Sequence, residues 1–416
     1  MNKKLMKKIK KEVKEMRKVL NFLVVISIFC VFNFSDASEI DILVDKLVKK
    51  GILSKEEAHE IIQETEEEIQ KQKGGSEIPE WVKNSKFKGD FRLRYQWQDN
   101  SHKRERARIR FRVGVVTKPN NNFEIGAGLA TGGSDPRSTN VTLDSSFESM
   151  DIKMDYAYAE YSGIKGVTVW GGKYKGIKKA IWRPSDLLWD SDLRPEGVGI
   201  KFNHSPQSCN FSIFTNTGLW ILKEVSSGAD TLMFYIQPGV NWNITENISF
   251  KTAVAYYNTS SVKGDTLKHS SGTNTLKNGG LKYDYDVWAP GLELKLKNLT
   301  KFVPYITFFG DYVNNPDPDD ENQGYLIGLK FGDKEIKRFG NWQFKYMYRK
   351  LEKDAWLDVF PDSDAYGGKT GVEGHEAEFK FGLAKQLTLG LDYYHMEQIN
   401  SSGKEDLFQA DLVWKF

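Results

Sequence analysis

The chain has 416 residues, 39% hydrophobic and 28% charged, with a mean hydropathy of -0.52 and a formal charge of +3. Beyond residue 40 no segment approaches the roughly 20 apolar residues of a membrane helix, which excludes a helical membrane protein but not a strand-built one. Nine basic and three acidic residues fall within the first 37; without them the charge becomes -3, which removes any support for nucleic-acid binding.

Those 37 residues read as a signal peptide. Lys3 to Lys18 is basic, and Val19 to Phe34 (VLNFLVVISIFCVFNF) is apolar. Ser35-Asp36-Ala37 then supplies small residues where a signal peptidase cuts, so cleavage falls after Ala37. Asn21, Ser27 and Asn33 interrupt the apolar run and speak against a retained anchor. Bulky Phe29 before Cys30 speaks against a lipoprotein. Cleavage leaves Cys209 as the one cysteine, so no intrachain disulfide is expected.

Residues 38–80 form a different segment, short, α-helical and acidic, ending in a linker. Ile40, Leu43, Leu47 and Val48 predict a first helix that stops at Gly51. Ser54-Lys55-Glu56-Glu57 is a capping box, with Ser54 as N-cap and Glu57 reaching back. Ala58, Ile61, Ile62, Thr65 and Ile69 make a narrow stripe on a second helix running to about Lys73. A self-associating, coiled-coil-like segment and a loosely packed periplasmic hairpin both fit it. Gly74, Gly75, Ser76 and Pro79 supply the linker.

From residue 86 the period changes to two. Phe87, Phe91, Leu93, Tyr95 and Trp97 oppose Lys88, Asp90, Arg92, Arg94 and Gln96. Ala107, Ile109, Phe111, Val113 and Val115 oppose Arg106, Arg108, Arg110 and Arg112. Side chains alternate faces along a strand, so each stretch has one oily and one charged face. Fourteen further stretches follow, from Phe123–Thr131 to Leu407–Phe416, which makes sixteen strands over residues 81–416. At Pro290-Gly291 the apolar face switches from Tyr283, Tyr285 and Val287 to Leu292, Leu294 and Leu296, and a β-bulge is expected there. Short connections such as Lys385–Gln386 alternate with long ones such as Gly132–Asp151, Lys175–Glu196 and Leu351–Glu373. Short turns on one rim and long loops on the other are the habit of outer-membrane barrels.

The charged faces carry the candidate site. Arg92, Arg94, Arg106, Arg108, Arg110 and Arg112 form a basic ladder on adjacent strands, able to attract anions in a wet bore or to pair with carboxylates such as Asp90, Glu124, Asp151 and Asp155. The long segment Lys175–Glu196 holds Lys178, Lys179, Arg183, Asp186, Asp190, Asp192, Arg194 and Glu196, and is a candidate constriction if it folds inward. A loop packed on the rim is the competing reading. Asn314–Asn322 gathers carboxylates that suit calcium but lacks EF-hand spacing, and Asp358, Asp362 and Asp364 carry no stronger signal, so no metal site is assigned. His375 and His395 lie on different strands without a ligand partner at useful spacing. No GxSxG, HExxH, CxxC or P-loop pattern occurs, and neither a catalytic residue nor a cofactor is assigned.

Four passages resemble the Putative porin family of Gram-negative outer membranes. They are WVKNSKFKGDFRLRYQWQD (Trp81–Asp99), LATGGSDPRSTNVTLD (Leu129–Asp144), DIKMDYAYAEY (Asp151–Tyr161) and WRPSDLLWDSDLRPEGVGIKF (Trp182–Phe202). The resemblance implies a diffusion channel of 16 strands, a homotrimer, and an N-terminal helical segment. The strand count with an N-terminal coil is also similar to phosphate-selective porins. The final strand, with Phe408, Ala410, Leu412, Trp414 and Phe416 on one face, resembles the signal read by the bacterial barrel-assembly machinery.

The expected fold is all-β: a 16-stranded antiparallel transmembrane β-barrel preceded by the periplasmic helical segment. The expected function is an outer-membrane porin of a Gram-negative bacterium, set in outer-membrane lipid and passing small hydrophilic solutes and ions by passive diffusion, with anion preference through the ladder. An outer-membrane barrel enzyme hydrolysing lipid or peptide, and a non-conducting structural or adhesin barrel, are the rival readings.

Overall fold

The structure is a computed structural model that describes residues 48–49, 53–72 and 79–416. The expected signal peptide, most of the first helix and the Gly74–Ser76 linker lie outside the described residues. The helix α1, Lys55–Gln72, belongs to a unit of its own. Its N-terminus is closed by the expected reciprocal pair: Glu57 N–H donates to Ser54 Oγ at 3.1 Å, and Ser54 N–H to Glu57 Oε2 at 2.8 Å.

The second unit, Pro79–Phe416, begins with the one-turn helix α2 (Glu80–Lys83) and continues as strands. One sheet of 17 strands includes the two-residue Val141–Thr142, and the other 16 make the barrel. The first eight are β1 Lys86–Asp99, β2 Lys103–Asn120, β3 Phe123–Thr131, β4 Ile152–Ile164, β5 Val167–Lys173, β6 Glu196–His204, β7 Phe211–Lys223 and β8 Thr231–Asn243. The second eight are β9 Ile248–Ser260, β10 Val287–Lys297, β11 Tyr305–Asn314, β12 Gln323–Gly332, β13 Trp342–Leu351, β14 Val372–Ala384, β15 Leu387–Gln398 and β16 Lys404–Lys415. Each pairs antiparallel with its chain neighbour, and β16 returns to β1 in a register from Asp90 opposite Lys415 to Asp99 opposite Asp406. Gly89 and Phe416 exchange two backbone hydrogen bonds, 2.9 and 3.1 Å, and finish the closure. A closed ladder leaves no edge N–H or C=O to face hydrocarbon.

The outer wall carries the large apolar residues that the alternation predicts, among them Phe87, Ile125, Leu129, Ile200, Phe308 and Ile327, all exposed. The inner wall is less uniform. Trp189, Trp220, Tyr235, Tyr257, Tyr285, Val287 and Trp356 form a buried apolar core inside the barrel, built from strand walls and from long loops folded inward. Trp189 sits at its centre, its ring 5.1 Å from Trp356 and 5.3 Å from Trp220, both edge-on.

That inner core corrects the expected bulge. The register of β9 with β10 runs unbroken through Ala253 opposite Gly291 and Val254 opposite Pro290. Tyr285 and Val287 are apolar because they face the inner core, while Leu292, Leu294 and Leu296 face outward, so the side-chain parity never changes. Irregularities occur instead at such places as Gly128/Leu129 and Gly382/Ala384.

Candidate functional site

The basic ladder lies where alternation places it. Arg92 stands opposite Arg110, Arg94 opposite Arg108 and Gln96 opposite Arg106 across β1 and β2. Guanidinium groups so crowded need counter-charges, and most have them. Arg94 clasps Asp411 of β16 through Nε at 2.7 Å and Nη2 at 2.8 Å, and reaches Asp364 at 3.2 Å. Arg110 and Arg112 each bond Asp90 at 2.7 Å, and Arg112 also meets Asp192 at 3.2 Å. Arg92 touches Asp411 at 3.3 Å and donates to Asn140 Oδ1. Among the described residues, Arg106 and Arg108 meet only amide oxygens. Of the other carboxylates expected to pair with the ladder, Asp155 holds Arg194 at 3.0 Å and Glu124 holds Lys175 at 2.7 Å.

The segment Lys175–Glu196 bridges three parts of the wall. It opens with the one-turn helix α3, Ile177–Ala180, whose Ile177 and Ala180 are buried in the inner core. Trp182 N–H donates to Gln237 Oε1 at 2.9 Å, and Gln237 Nε2 donates back to Trp182 O at 2.7 Å, fastening the loop to β8. Arg183 is spent inside the loop, donating to the carbonyls of Ser185 (2.7 Å) and Trp189 (2.6 Å). Asp186 pairs with Arg349 of β13 at 2.8 Å, Asp192 with Arg112 of β2, and Arg194 with Asp155 of β4. Glu196 pairs with Lys173. Lys178 and Lys179 are both exposed, and the neighbouring Arg183 charge pushes Lys178 down to about 8. The eight charges therefore do not converge on one point; they spread around the bore.

A second inserted loop, residues 352–371, is in sequence a long connection holding Asp358, Asp362 and Asp364, with no signal that it folds inward. Trp356 Nε1 donates to Leu188 O at 2.8 Å, and Asp190 N–H donates to Phe360 O at 2.7 Å, joining it to the first. Asn274, from the connection after β9, locks it by donating to the carbonyls of Lys353 (2.7 Å) and Trp356 (2.9 Å). Asn315 and Asp317, in the stretch that suggested calcium, are used likewise. Asn315 Nδ2 reaches Asp354 O at 2.9 Å, and Asp317 accepts from Asp284 N–H at 2.8 Å.

Asp186, Asp362 and Glu376 do converge, their oxygens within 4.8 Å of one another. Arg349 Nη2 sits among them, 2.8 Å from Asp186, 2.9 Å from Glu376 and 3.5 Å from Asp362, so the positive charge a metal would bring is already supplied. Burial opposes charge on Asp186, yet Arg349, Lys345, Arg183 and Lys178 hold its carboxyl well below the usual range. Between the loops and the wall formed by β1, β2 and β10–β16 lies a cavity of about 1000 Å³. Arg92, Arg94, Arg110 and Arg112 line one side of it, and Glu376, Glu378 and Asp392 belong to another. Twelve basic and ten acidic residues line it in all, so its charge is mixed rather than single-signed. Lys345, Arg349, Glu376 and Glu378 escaped the sequence reading, although Gln343, Lys345 and Arg349 alternate with Trp342, Phe344 and Tyr348 just as the first ladder does.

One carboxylate at the meeting of the two loops titrates in a useful range. Asp190 is 3% exposed and accepts N–H bonds from Asp192 and Ser363, both at 2.8 Å. Burial, then the Asp192 charge, push its carboxyl up to about 7. A docked pKa above the free value of about 3.9 means the docked form binds the proton more tightly. Docking is thus favoured below about 4 and weakens as pH rises through about 7. Asp186 and Asp192, both depressed, stay charged across that window. Current fluctuations are expected to grow between pH 5 and pH 8, and Asp190→Asn to flatten the trend; quieter currents at pH 8 would contradict it.

Residues 96–302 and 293–416 match the family described as "Putative porin". No curated protein sequence matches the chain. Among solved structures, OprB of Pseudomonas putida at high pH superposes with a TM-score of 0.53 at 11% identity, over 82% of this chain and 97% of that one. OmpF of Salmonella typhi, in complex with daunomycin, gives 0.49 at 10% identity, over 80% and 97%. At such identities the OprB likeness speaks to the fold alone.

Proposed function

The chain belongs to the Putative porin family, an outer-membrane channel for small solutes, and we propose that it passes small hydrophilic solutes passively, without catalysis, and with a modest preference for anions. The observation that carries this reading is the mixed lining of the cavity, twelve basic against ten acidic residues, together with Arg106 and Arg108, which among the described residues lack carboxylate partners. A bore of this kind orients dipolar solutes across a transverse field and discriminates weakly by sign.

The same reading includes a leader cleaved after Ala37, residues 38–80 as a periplasmic segment, assembly as a homotrimer, and recognition of the strand ending in Phe416 by the assembly machinery. The inserted loop 175–196 acts in it as the constriction. Purified protein, cross-linked to count copies, is to be recorded in planar bilayers with asymmetric KCl. Discrete steps with a reversal potential slightly on the anion side are expected. Clear cation preference would remove the selectivity reading, and a silent bilayer would remove the channel.

A further inference from the structure

Among the described residues, four members of the ladder have a carboxylate within ion-pair distance and two do not. Arg106 donates from Nη2 to Gln98 Oε1 at 2.9 Å, and Arg108 from Nη1 to Gln96 Oε1 at 3.0 Å and from Nη2 to the Asn140 carbonyl at 3.5 Å. All three acceptors are neutral. Among the described residues neither arginine has a carboxylate partner, whereas Arg92, Arg94, Arg110 and Arg112 all do. The Nε atoms of Arg106 and Arg108 are buried and without any acceptor. A guanidinium offers five N–H donors in a fixed fork, so most of the donor capacity of this pair is unspent. An unfilled buried donor is costly, and more so on a charged group.

We infer that Arg106 and Arg108 form a discrete binding station for a small oxyanion in the long-loop half of the bore. The station deepens the channel reading given above and rests on it. The two residues are successive inward positions on β2, about 7 Å apart along the strand, close enough for both forks to address one bound anion. Arg104, the next inward position toward the rim, is exposed and continues the same row outward. Below them Arg110 is buried against Asp90. An anion entering from the long-loop rim therefore passes an exposed cation, reaches the two unpaired ones, and then meets cations already matched to carboxylates. Arg108 also stands directly opposite Arg94, whose charge is spent on Asp411 and Asp364. A phosphate or a carboxylate presents the paired oxygens that a guanidinium fork matches, which a chloride ion does not.

The test uses the full chain, with inorganic phosphate and acetate as probes. In planar bilayers at fixed KCl, added phosphate should reduce the chloride current saturably. Arg106→Gln with Arg108→Gln should raise the half-blocking concentration roughly tenfold, the worth of one charge-assisted hydrogen bond. Neither residue holds a buried carboxylate, so the variant strands no partner charge. Gln96→Glu is the second variant: it places a carboxylate where Arg108 now bonds an amide, and should weaken the block while leaving both arginines present. Titration calorimetry of phosphate into the detergent-solubilised protein gives the same comparison without relying on conduction. A channel that conducts but shows no phosphate block, or an equal block in wild type and both variants, overturns the station. A silent bilayer with arginine-dependent phosphate binding in calorimetry keeps the station and sinks the channel reading. Acetate matching phosphate marks the site as a general oxyanion site, and phosphate alone marks it as one for tetrahedral anions.

Discussion

Replacing Arg349 by Met is expected to loosen both inserted loops at once and to lower the stability of the docked state by about 3–5 kcal/mol. Its side chain is 4% exposed, and one nitrogen bonds a carboxylate from the first loop (Asp186), one from the second (Asp362) and one from the barrel wall (Glu376). Removing the guanidinium leaves those three carboxylates crowded, with Lys345, 2.5 Å from Glu376, and the more weakly coupled Arg183 and Lys178 to compensate. A buried ion pair adds little relative to a well-packed apolar pair, but stripping one partner strands the other's charge, and here three are stranded. Arg349→Lys restores the charge without the planar fork and should recover only part of the loss. Thermal melts in detergent, read by near-UV circular dichroism of the inner tryptophans, measure the effect. An unchanged melting profile with quiet single-channel currents would show that the loops are held by packing alone.

How much of this was legible in the sequence follows from what each solvent demands of the chain. Hydrocarbon tolerates no charge, so the outer face of β1 and β2 is strict, and the inward arginines 92 to 112 could be read from parity alone. Arg104 obeys the same parity, but the clean alternation begins at Arg106, three residues inside a strand that starts at Lys103. The bore imposes no such rule. It is polar beside the ladder and aromatic beside Trp189, and apolar inward residues such as Tyr285 and Val287 therefore imitated a bulge. Partners were less legible still. Arg94 and Asp411 are 317 positions apart and meet because the last strand closes on the first. The lock of Asn274 on Trp356 joins two connections with no periodicity of their own.

Deleting Pro184–Leu193 should raise single-channel conductance by a factor on the order of two or more, because a barrel of sixteen strands is wide enough for a channel and its bore is narrowed here by inserted loops. The deletion removes Trp189, and with it the ring contacts to Trp220, Tyr257, Trp356 and Phe360, together with Asp186 and Asp192. It leaves the strand ladder intact, since the pairing of β5 with β6 runs from Val167 opposite Phe202 to Lys173 opposite Glu196. The closed cylinder should therefore still form. Loss of Asp192 also frees Arg112 from one of its two carboxylates, while Asp90 keeps the other, so selectivity should move toward anions as conductance rises. Trp189→Ala is the milder companion: it opens a cavity costing about 3–5 kcal/mol but keeps the charges, and so should add current noise without moving the reversal potential. If the deletion conducts no better than wild type, segment 175–196 is not the constriction, and the narrowest part of the bore must be sought along the second loop, beside Asp362 and Asp364.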